Sequence, residues 1–89
     1  MLTKVTRLEK LDGFRLRVSF NDGRQGVHDF GGMVKEPGPM LEPLRDPAYF
    51  SRVFLEFGAP TWPNGFDIAP EWLRREMEAA GELTSIAAE

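Results

Sequence analysis

The stretch FRLRVSFNDGRQGVHDF, residues 14–30, decides the fold. Apolar residues alternate strictly with polar ones from Phe14 to Phe20, and this period of two is typical of a strand with one buried face. The Asn21-Asp22-Gly23 segment predicts a tight turn, because an Asp-Gly pair tolerates the positive φ angles of a hairpin. Residues 24–30 then predict a second strand, antiparallel to the first.

The length of this turn decides which side chains of the two strands share a face. A two-residue loop pairs Val18 with Val27, points Asp29 toward the core and leaves His28 on the solvent face opposite Arg17. A three-residue loop pairs Arg17 with Val27 and turns Val27 to solvent. Because the first register buries more apolar surface, we predict the two-residue loop.

Residues on either side of this hairpin predict further short strands. Residues 2–11 favour an extended strand before the hairpin, and a bulge near Gly13 would bring Leu8 opposite Leu16. Residues 53–57 are β-branched and aromatic and favour a fourth strand, and residues 61–62 add a brief fifth. The sheet is therefore predicted to be an antiparallel β-meander of three to five short strands.

Helical signals appear in the second half of the chain. Asp46-Pro47 predicts an N-cap followed by one helical turn, whereas the glycines and prolines of residues 31–43 predict a loop. Pro70 suits the first position of a longer helix with an apolar stripe that includes Leu73, and Gly81 suits the position just past its end.

Composition indicates one small folded domain. The 89 residues are 42% hydrophobic and 28% charged, and they include seven phenylalanines and two tryptophans, which is more aromatic content than a disordered chain carries. We predict a single α+β domain over residues 1–81, in which one C-terminal helix packs on the sheet, and a frayed C-terminal tail over residues 82–89.

Charge and cysteine content narrow the function classes. The net charge of −3 is opposite in sign to that of an electrostatic nucleic-acid binder. The absence of cysteine excludes disulfides, a thiolate nucleophile and a cysteine-based zinc site. The first residues contain no apolar run typical of a signal peptide or a membrane span, so we expect a cytoplasmic protein that does not enter a membrane.

Residues suited to catalysis are few. His28 is the single histidine, and without cysteine it offers little basis for a metal site. Neither a Gly-Lys-Ser/Thr phosphate loop nor a nucleophile elbow is present. An enzyme would need Asp29 and Asp67 to meet His28 in one pocket. We therefore expect no enzyme activity, no cofactor and no metal.

Two carboxylates are expected to support the backbone. In the predicted register Asp29 faces the core, where it would cap the amides of Gly31 and Gly32. Asp67 precedes Pro70 by three residues and would form an Asx-turn leading into the helix. A catalytic or ligand-binding role is the less favoured alternative for both.

The aromatic residues are the main functional signal. Trp62, Phe66 and Trp72 cluster around one proline-rich turn, and a domain of this size has little core in which to bury all three. Exposed aromatic side chains favour a protein interface, either with a partner or with a second copy of the chain. The competing interpretation is that these three residues form the core.

A second candidate surface is the outer face of the sheet. Arg15, Arg17 and Arg24 would lie there together with His28 and could bind a small ligand or nucleic acid. Because the chain is acidic overall, nucleic acid is the less favoured partner.

Several short motifs together carry a resemblance to a known family. They are the F-x-DG turn of Phe20, Asp22 and Gly23, the strand-ending Asp29, the L-x-D-x-x-x-F stretch of Leu44, Asp46 and Phe50, and the W-PNG-x-D-I-x-P-E segment of residues 62–71. Over about residues 5–73 the chain resembles the small bacterial proteins of the domain of unknown function 2442 family.

This resemblance implies a small α+β fold with an antiparallel sheet and a packed helix, and it implies no established activity. Other members carry an added helix-turn-helix domain, which these 89 residues lack, so we expect no DNA binding by that route. Some stand-alone members resemble the second partner of small two-gene, toxin–antitoxin-like cassettes. We therefore expect a non-catalytic interaction module, in the role of an antitoxin-like or regulatory partner. The alternative is a small-ligand or nucleic-acid binder that uses the arginine-bearing face.

Overall fold

A computed structural model describes residues 2–85 as an α+β fold. The strands are β1 Val5–Lys10, β2 Arg15–Phe20, β3 Arg24–Asp29, β4 Phe54–Glu56, β5 Ala59–Thr61 and β6 Thr84–Ser85. The helices are α1 Gly31–Val34, α2 Pro47–Phe50 and α3 Pro70–Ala79, with a 3-10 helix over Glu42–Arg45. Antiparallel pairing gives one sheet of order β1-β2-β3-β6 and a second sheet of β4 and β5. Within residues 2–85, no helix is long and apolar enough to cross a bilayer.

The β2–β3 hairpin has a three-residue loop, so the predicted two-residue loop is wrong. Arg17 pairs with Val27. The Gly23 amide donates a hydrogen bond to the Phe20 carbonyl at 3.1 Å, and Gly23 has a φ of +83°. This is the pattern of a type I turn followed by a left-handed glycine that forms a bulge.

The observed register places a glycine where the end of α3 meets the sheet. Gly26 lies opposite Val18 on the buried face, and a Cβ atom at Gly26 would lie only 2.1 Å from the Glu82 carbonyl oxygen and 3.2 Å from Met77 Cε. A residue without a side chain permits this approach. In the predicted register Val27 would share this face, and its side chain would displace the end of the helix.

Helix α3 ends in a Schellman motif that directs the chain onto β3. Gly81 has a φ of +72°, as predicted for the position just past the helix. Its amide donates to the Glu78 carbonyl at 3.0 Å, and the Glu82 amide donates to the Met77 carbonyl at 2.9 Å. These two bonds supply hydrogen-bond donors to carbonyl groups that have no partner within the last turn of the helix.

The chain after α3 belongs to the domain. Strand β6 pairs with Arg24 and Gln25 of β3, and Leu83 packs against the core. The predicted frayed tail is therefore wrong for residues 82–85, because the Schellman motif aims them at the sheet edge. Residues 86–89 of that predicted tail lie outside the described residues.

Strand β1 contains a bulge, but not where the sequence predicted it. The register shifts between Val5 and Arg7, and Leu8 lies opposite Val18. The predicted bulge near Gly13 and the pairing of Leu8 with Leu16 are therefore wrong. A bulge at this point allows Val5 and Leu8, three residues apart, to face the same core, which strict alternation would forbid.

Trp62 lies in the core beneath the sheet. It is fully buried, and its Nε1 atom donates to the Phe50 carbonyl at 2.9 Å while the two rings lie 5.5 Å apart. Phe50 is held by α2, whose predicted N-cap is confirmed because the Asp46 side chain accepts from the Ala48 amide. Within residues 2–85, the buried hydrophobic core is formed by Val5, Leu16, Val18, Phe20, Phe30, Val34, Leu44, Phe50, Trp62, Ile68, Leu73 and Met77.

A charged contact also joins α3 to the β2–β3 loop. Arg74 donates from Nε and Nη2 to Asp22 Oδ2 at 3.0 and 2.9 Å. Burial raises the pKa of the Asp22 carboxyl, but the hydrogen bonds from Arg74 and from the Arg24 amide outweigh it and bring this pKa below its usual value of 3.8. The charged carboxylate is therefore favoured by folding.

Replacing Gly26 tests the close approach at the end of α3. We expect Gly26→Ala to lower the free energy of unfolding by about 2 kcal/mol or more, because its methyl group would overlap the Glu82 carbonyl. Gly32→Ala is the control, since a Cβ atom there meets nothing within 4 Å and alanine favours α1. Urea denaturation measures both variants, and equal stabilities for the two would contradict this account.

The Asp22–Arg74 contact predicts a pH-dependent stability. Because the folded pKa of Asp22 is lowered, its contribution is present above the unfolded pKa and is lost as the pH falls through the folded value. We expect Asp22→Asn to cost about 1 kcal/mol at neutral pH and less at an acidic pH below the usual carboxyl pKa of 3.8.

Urea denaturation at both pH values measures this difference. Glu76→Gln is the matched control, because Glu76 is an exposed carboxylate of α3 that forms no ion pair within residues 2–85. If the effect of Asp22→Asn were the same at both pH values, the ionised carboxylate would not be its source.

Candidate functional site

The three predicted interface aromatics do not lie together at the surface. Trp62 is fully buried, so its prediction as an interface residue is wrong: the Phe50 carbonyl satisfies its indole N–H inside the core. Phe66 is half-buried, with its ring 5.8 Å from that of Trp62. Trp72 is 42% exposed on α3 and remains available for contact with a partner.

The four residues of the predicted ligand-binding face lie on opposite sides of the sheet. Arg15 and Arg17 lie on the outer face, whereas Arg24 and His28 alternate with Gly26 onto the face covered by α3. The prediction of one shared face is wrong because it rested on the wrong hairpin register.

His28 is packed between the sheet and the segment that follows α3. Its Nδ1 atom lies 2.8 Å from Glu82 Oε1, and its ring meets Phe30 edge-on at 4.7 Å. The side chain is 20% exposed. His28 is therefore a contact between the C-terminal segment and β3, and it does not lie on an open face.

The outer-face arginines are matched by carboxylates of the same chain. Arg17 donates from Nη1 to Glu9 Oε1 at 2.7 Å. Arg15 donates from Nε to Asp12 Oδ1 at 2.9 Å, and this contact lowers the pKa of Asp12 below its usual 3.8. Because both guanidinium groups already face a carboxylate, this face offers little net positive charge to a phosphate.

Asp29 caps the start of α1 from the outer side of the sheet. Its Oδ1 atom accepts a hydrogen bond from the Gly31 amide at 2.8 Å, which confirms the predicted capping of that residue. The side chain is exposed and lies opposite Arg15, so the prediction that it faces the core is wrong. The cause is again the hairpin register.

Asp67 does not lead into α3 as predicted. The N-cap of α3 is Ala69, without a side-chain hydrogen bond, so the predicted Asx-turn is wrong. Asp67 instead forms an antiparallel bridge with Thr61, and the next amide, of Ile68, donates to the Pro60 carbonyl at 3.0 Å. This pairing holds the segment extended along β5 and leaves the Asp67 side chain exposed.

A strained hairpin turn forms the most unusual part of the surface. Glu56 pairs with Ala59, so β4 and β5 are joined by the two residues Phe57 and Gly58. Both have positive φ angles, +52° and +81°, which defines a type I′ turn. Phe57 is the one residue other than glycine with a positive φ within residues 2–85.

Gly58 clamps this hairpin to the start of the large sheet. Its carbonyl accepts a hydrogen bond from the Val5 amide at 2.8 Å. A Cβ atom at Gly58 would lie 2.7 Å from Cβ of Lys4, so a larger residue would push the two segments apart. The turn is therefore positioned by the body of the fold.

Phe57 strains the hairpin and gives almost no packing in return. A side chain in the left-handed region costs roughly 1–2 kcal/mol, and the ring is 92% exposed, so it gains almost nothing from burial. It is the most exposed large apolar side chain of residues 2–85. A strained residue that contributes no packing points to a role outside folding.

A shallow acidic pocket lies beside this phenylalanine. Its volume is about 420 Å³, and it is lined by Glu56, Phe57, Ala59, Thr61, Gly65 and Asp67. Neither carboxylate forms an ion pair with another residue of the described chain. Within residues 2–85, no three histidine, aspartate or glutamate side chains are placed to hold a metal ion. The surface therefore combines one free aromatic ring with two negative charges.

No sequence pattern distinguished this turn from a strand. Phenylalanine is common in strands, so residues 53–57 were predicted as one strand that Gly58 ends, whereas β4 ends at Glu56. The one available signal is the glycine at Gly58 between two short extended runs, which is typical of the second position of a two-residue turn.

Replacing Phe57 with asparagine tests the strain. Asparagine adopts the left-handed conformation readily, and Asn-Gly is the preferred pair for a type I′ turn. We expect Phe57→Asn to raise the free energy of unfolding by about 1 kcal/mol in urea denaturation. Phe54→Asn, on the flanking strand, should instead be neutral or destabilising, and a loss of stability in Phe57→Asn would show that the ring supports the fold.

Comparison with known proteins shows which family the chain belongs to. No curated protein and no solved structure matches the chain. The model of the family described as Protein of unknown function (DUF2442) matches residues 5–79, from the first residue of β1 to the last residue of α3. The matched range contains the core, the strained hairpin and the acidic pocket. The chain therefore belongs to the DUF2442 family.

Proposed function

We propose that the protein is a non-catalytic interaction module that binds a protein partner through the tip of the β4–β5 hairpin. The observation that carries this proposal is Phe57, which is 92% exposed in a conformation that costs stability. Aromatic anchors that a partner buries in a pocket account for much of the affinity of protein interfaces. A phenylalanine fixed at a clamped turn needs little ordering before it binds.

The shape of the neighbouring pocket favours a protein over a small molecule. Small-molecule sites are concave and largely apolar, and they bury most of the ligand. The pocket beside Phe57 is shallow and is bordered by the carboxylates of Glu56 and Asp67. Such a surface fits the polar rim of an interface whose apolar centre is Phe57.

The positions of the three residues that catalysis would need also support a non-catalytic role. Asp67 lines the pocket beside Phe57, whereas Asp29 lines a different depression of about 390 Å³ near Arg15. His28 faces Glu82 on the covered side of the sheet. These three residues are therefore not brought to one site.

The resemblance to the small bacterial proteins of this family indicates where the module would act and in what role. The module would act in the bacterial cytoplasm as an antitoxin-like or regulatory partner of a second protein. Trp72, exposed on α3, is the second side chain available to such a partner. The arginine-bearing face receives no proposal of its own, because Arg15 and Arg17 are already matched by carboxylates.

Affinity capture of tagged variants from a lysate of the encoding organism tests this function. We expect the wild-type chain to retain a stoichiometric protein, and Phe57→Asn to retain at least about tenfold less of it. Circular dichroism should be the same for both, because the substitution suits the turn. Recovery of a dimer of the chain that Phe57→Asn abolishes would assign the same surface to a second copy.

Trp72→Gln tests the other exposed aromatic as the competing site of the interface. Capture that is lost in Trp72→Gln and unchanged in Phe57→Asn would move the interface to α3 and overturn the hairpin proposal. If the wild-type chain captured no protein, and light scattering showed the purified chain to be a monomer, the interaction role itself would be wrong.

A further inference from the structure

We infer that the acidic pocket beside Phe57 receives an arginine side chain of the protein partner. This inference rests on the proposed function and names the chemistry that the partner must present. It follows from the combination of one exposed aromatic ring with two unmatched carboxylates, Glu56 and Asp67, around one pocket.

The two carboxylates are held in place by backbone pairing. Glu56 is the last residue of β4 and pairs with Ala59 across the turn. Asp67 is bridged to Thr61 on the far side of β5. Because both side chains start from paired backbone, the pocket presents its negative charge without first ordering a loop.

Within residues 2–85, the positive groups of the chain form no ion pair with the two carboxylates of this pocket. Lys4 packs its side-chain carbons against Gly58 at the base of the turn, and it forms no ion pair with either carboxylate within the described part of the chain. A partner cation would therefore meet two charges that are open to it. A metal ion is a poorer candidate, because hard cations require more oxygen ligands than two carboxylates supply and no third acidic or histidine group converges within residues 2–85.

Arginine fits these groups better than lysine does. A guanidinium is planar and carries five donors, so it can donate to one or both carboxylates while its flat face lies on an aromatic ring. Lysine offers a compact, strongly hydrated charge that does not stack in this way. Because Phe57, Glu56 and Asp67 line the same pocket, a guanidinium in it would have both kinds of contact within reach.

Titration of the 15N-labelled protein with a short peptide tests the inference by NMR. The probe is acetyl-Ala-Arg-Ala-amide, with the citrulline and lysine peptides as matched controls. We expect amide shifts at residues 56–59 and 65–67 with the arginine peptide, weaker binding by several-fold with lysine, and at least about tenfold weaker binding with citrulline, which keeps the shape without the charge.

Two variants separate the contributions of the ring and the charges. Phe57→Asn and the double variant Glu56→Gln with Asp67→Asn should each weaken the arginine peptide by several-fold. Glu76→Gln, which removes an exposed carboxylate from α3, should leave it unchanged. Equal shifts with citrulline, shifts centred on other residues, or no shifts up to about 50 mM peptide would overturn the inference.

The same variants distinguish failure of this inference from failure of the proposed function. If partner capture is lost with Phe57→Asn but unaffected by the double carboxylate variant, the interaction role would stand. The inference that the pocket receives an arginine side chain would then be wrong. Capture that neither variant changes would overturn both.

Discussion

The contact between the end of α3 and the bare backbone of Gly26 is the constraint on which the rest of the structure depends. With the Glu82 carbonyl against Gly26, the β2–β3 hairpin can adopt only the register that brings glycine beneath the helix. The same contact places His28 beside the Glu82 carboxylate and directs the following residues along the edge of β3. The division of the sheet into a covered face and an outer, charge-matched face follows from that register.

Features that depend on neighbouring residues could be predicted from the sequence, and features that depend on distant ones could not. The alternation in β2, the Asp46 N-cap and the helix boundaries at Pro70 and Gly81 are local, and the structure confirms them. The hairpin register depends on Glu82, more than fifty positions away from Gly26, and no alternation pattern contains that information. The burial of the Trp62 indole depends in the same way on a carbonyl supplied by α2.

The strained turn of the candidate site could not be predicted from the sequence for a similar reason. The two-residue connection and the packing of Gly58 on Lys4 hold Phe57 in its left-handed conformation. Phenylalanine itself is typical of strands, so the residue type gives no sign of this strain. The indole of Trp62 finds its partner in the core, and the guanidinium groups of Arg15 and Arg17 find theirs on the outer face. At the β4–β5 hairpin, a strained and exposed aromatic ring lines the same pocket as two carboxylates without ion pairs, and this combination makes the hairpin the functional candidate.

The attachment of the C-terminal segment also has a consequence for cooperativity. The Arg74–Asp22, Glu82–His28 and Thr84–Gln25 contacts join residues 52, 54 and 59 positions apart, so they close almost the same loop of chain. The length-dependent part of the chain entropy lost in that closure is roughly 3–4 kcal/mol, and it is lost once for all three contacts. Each contact formed lowers the entropic cost of the next, so α3 and β6 dock and release as one cooperative unit. Local opening of the domain would therefore release α3 and β6 together rather than one at a time.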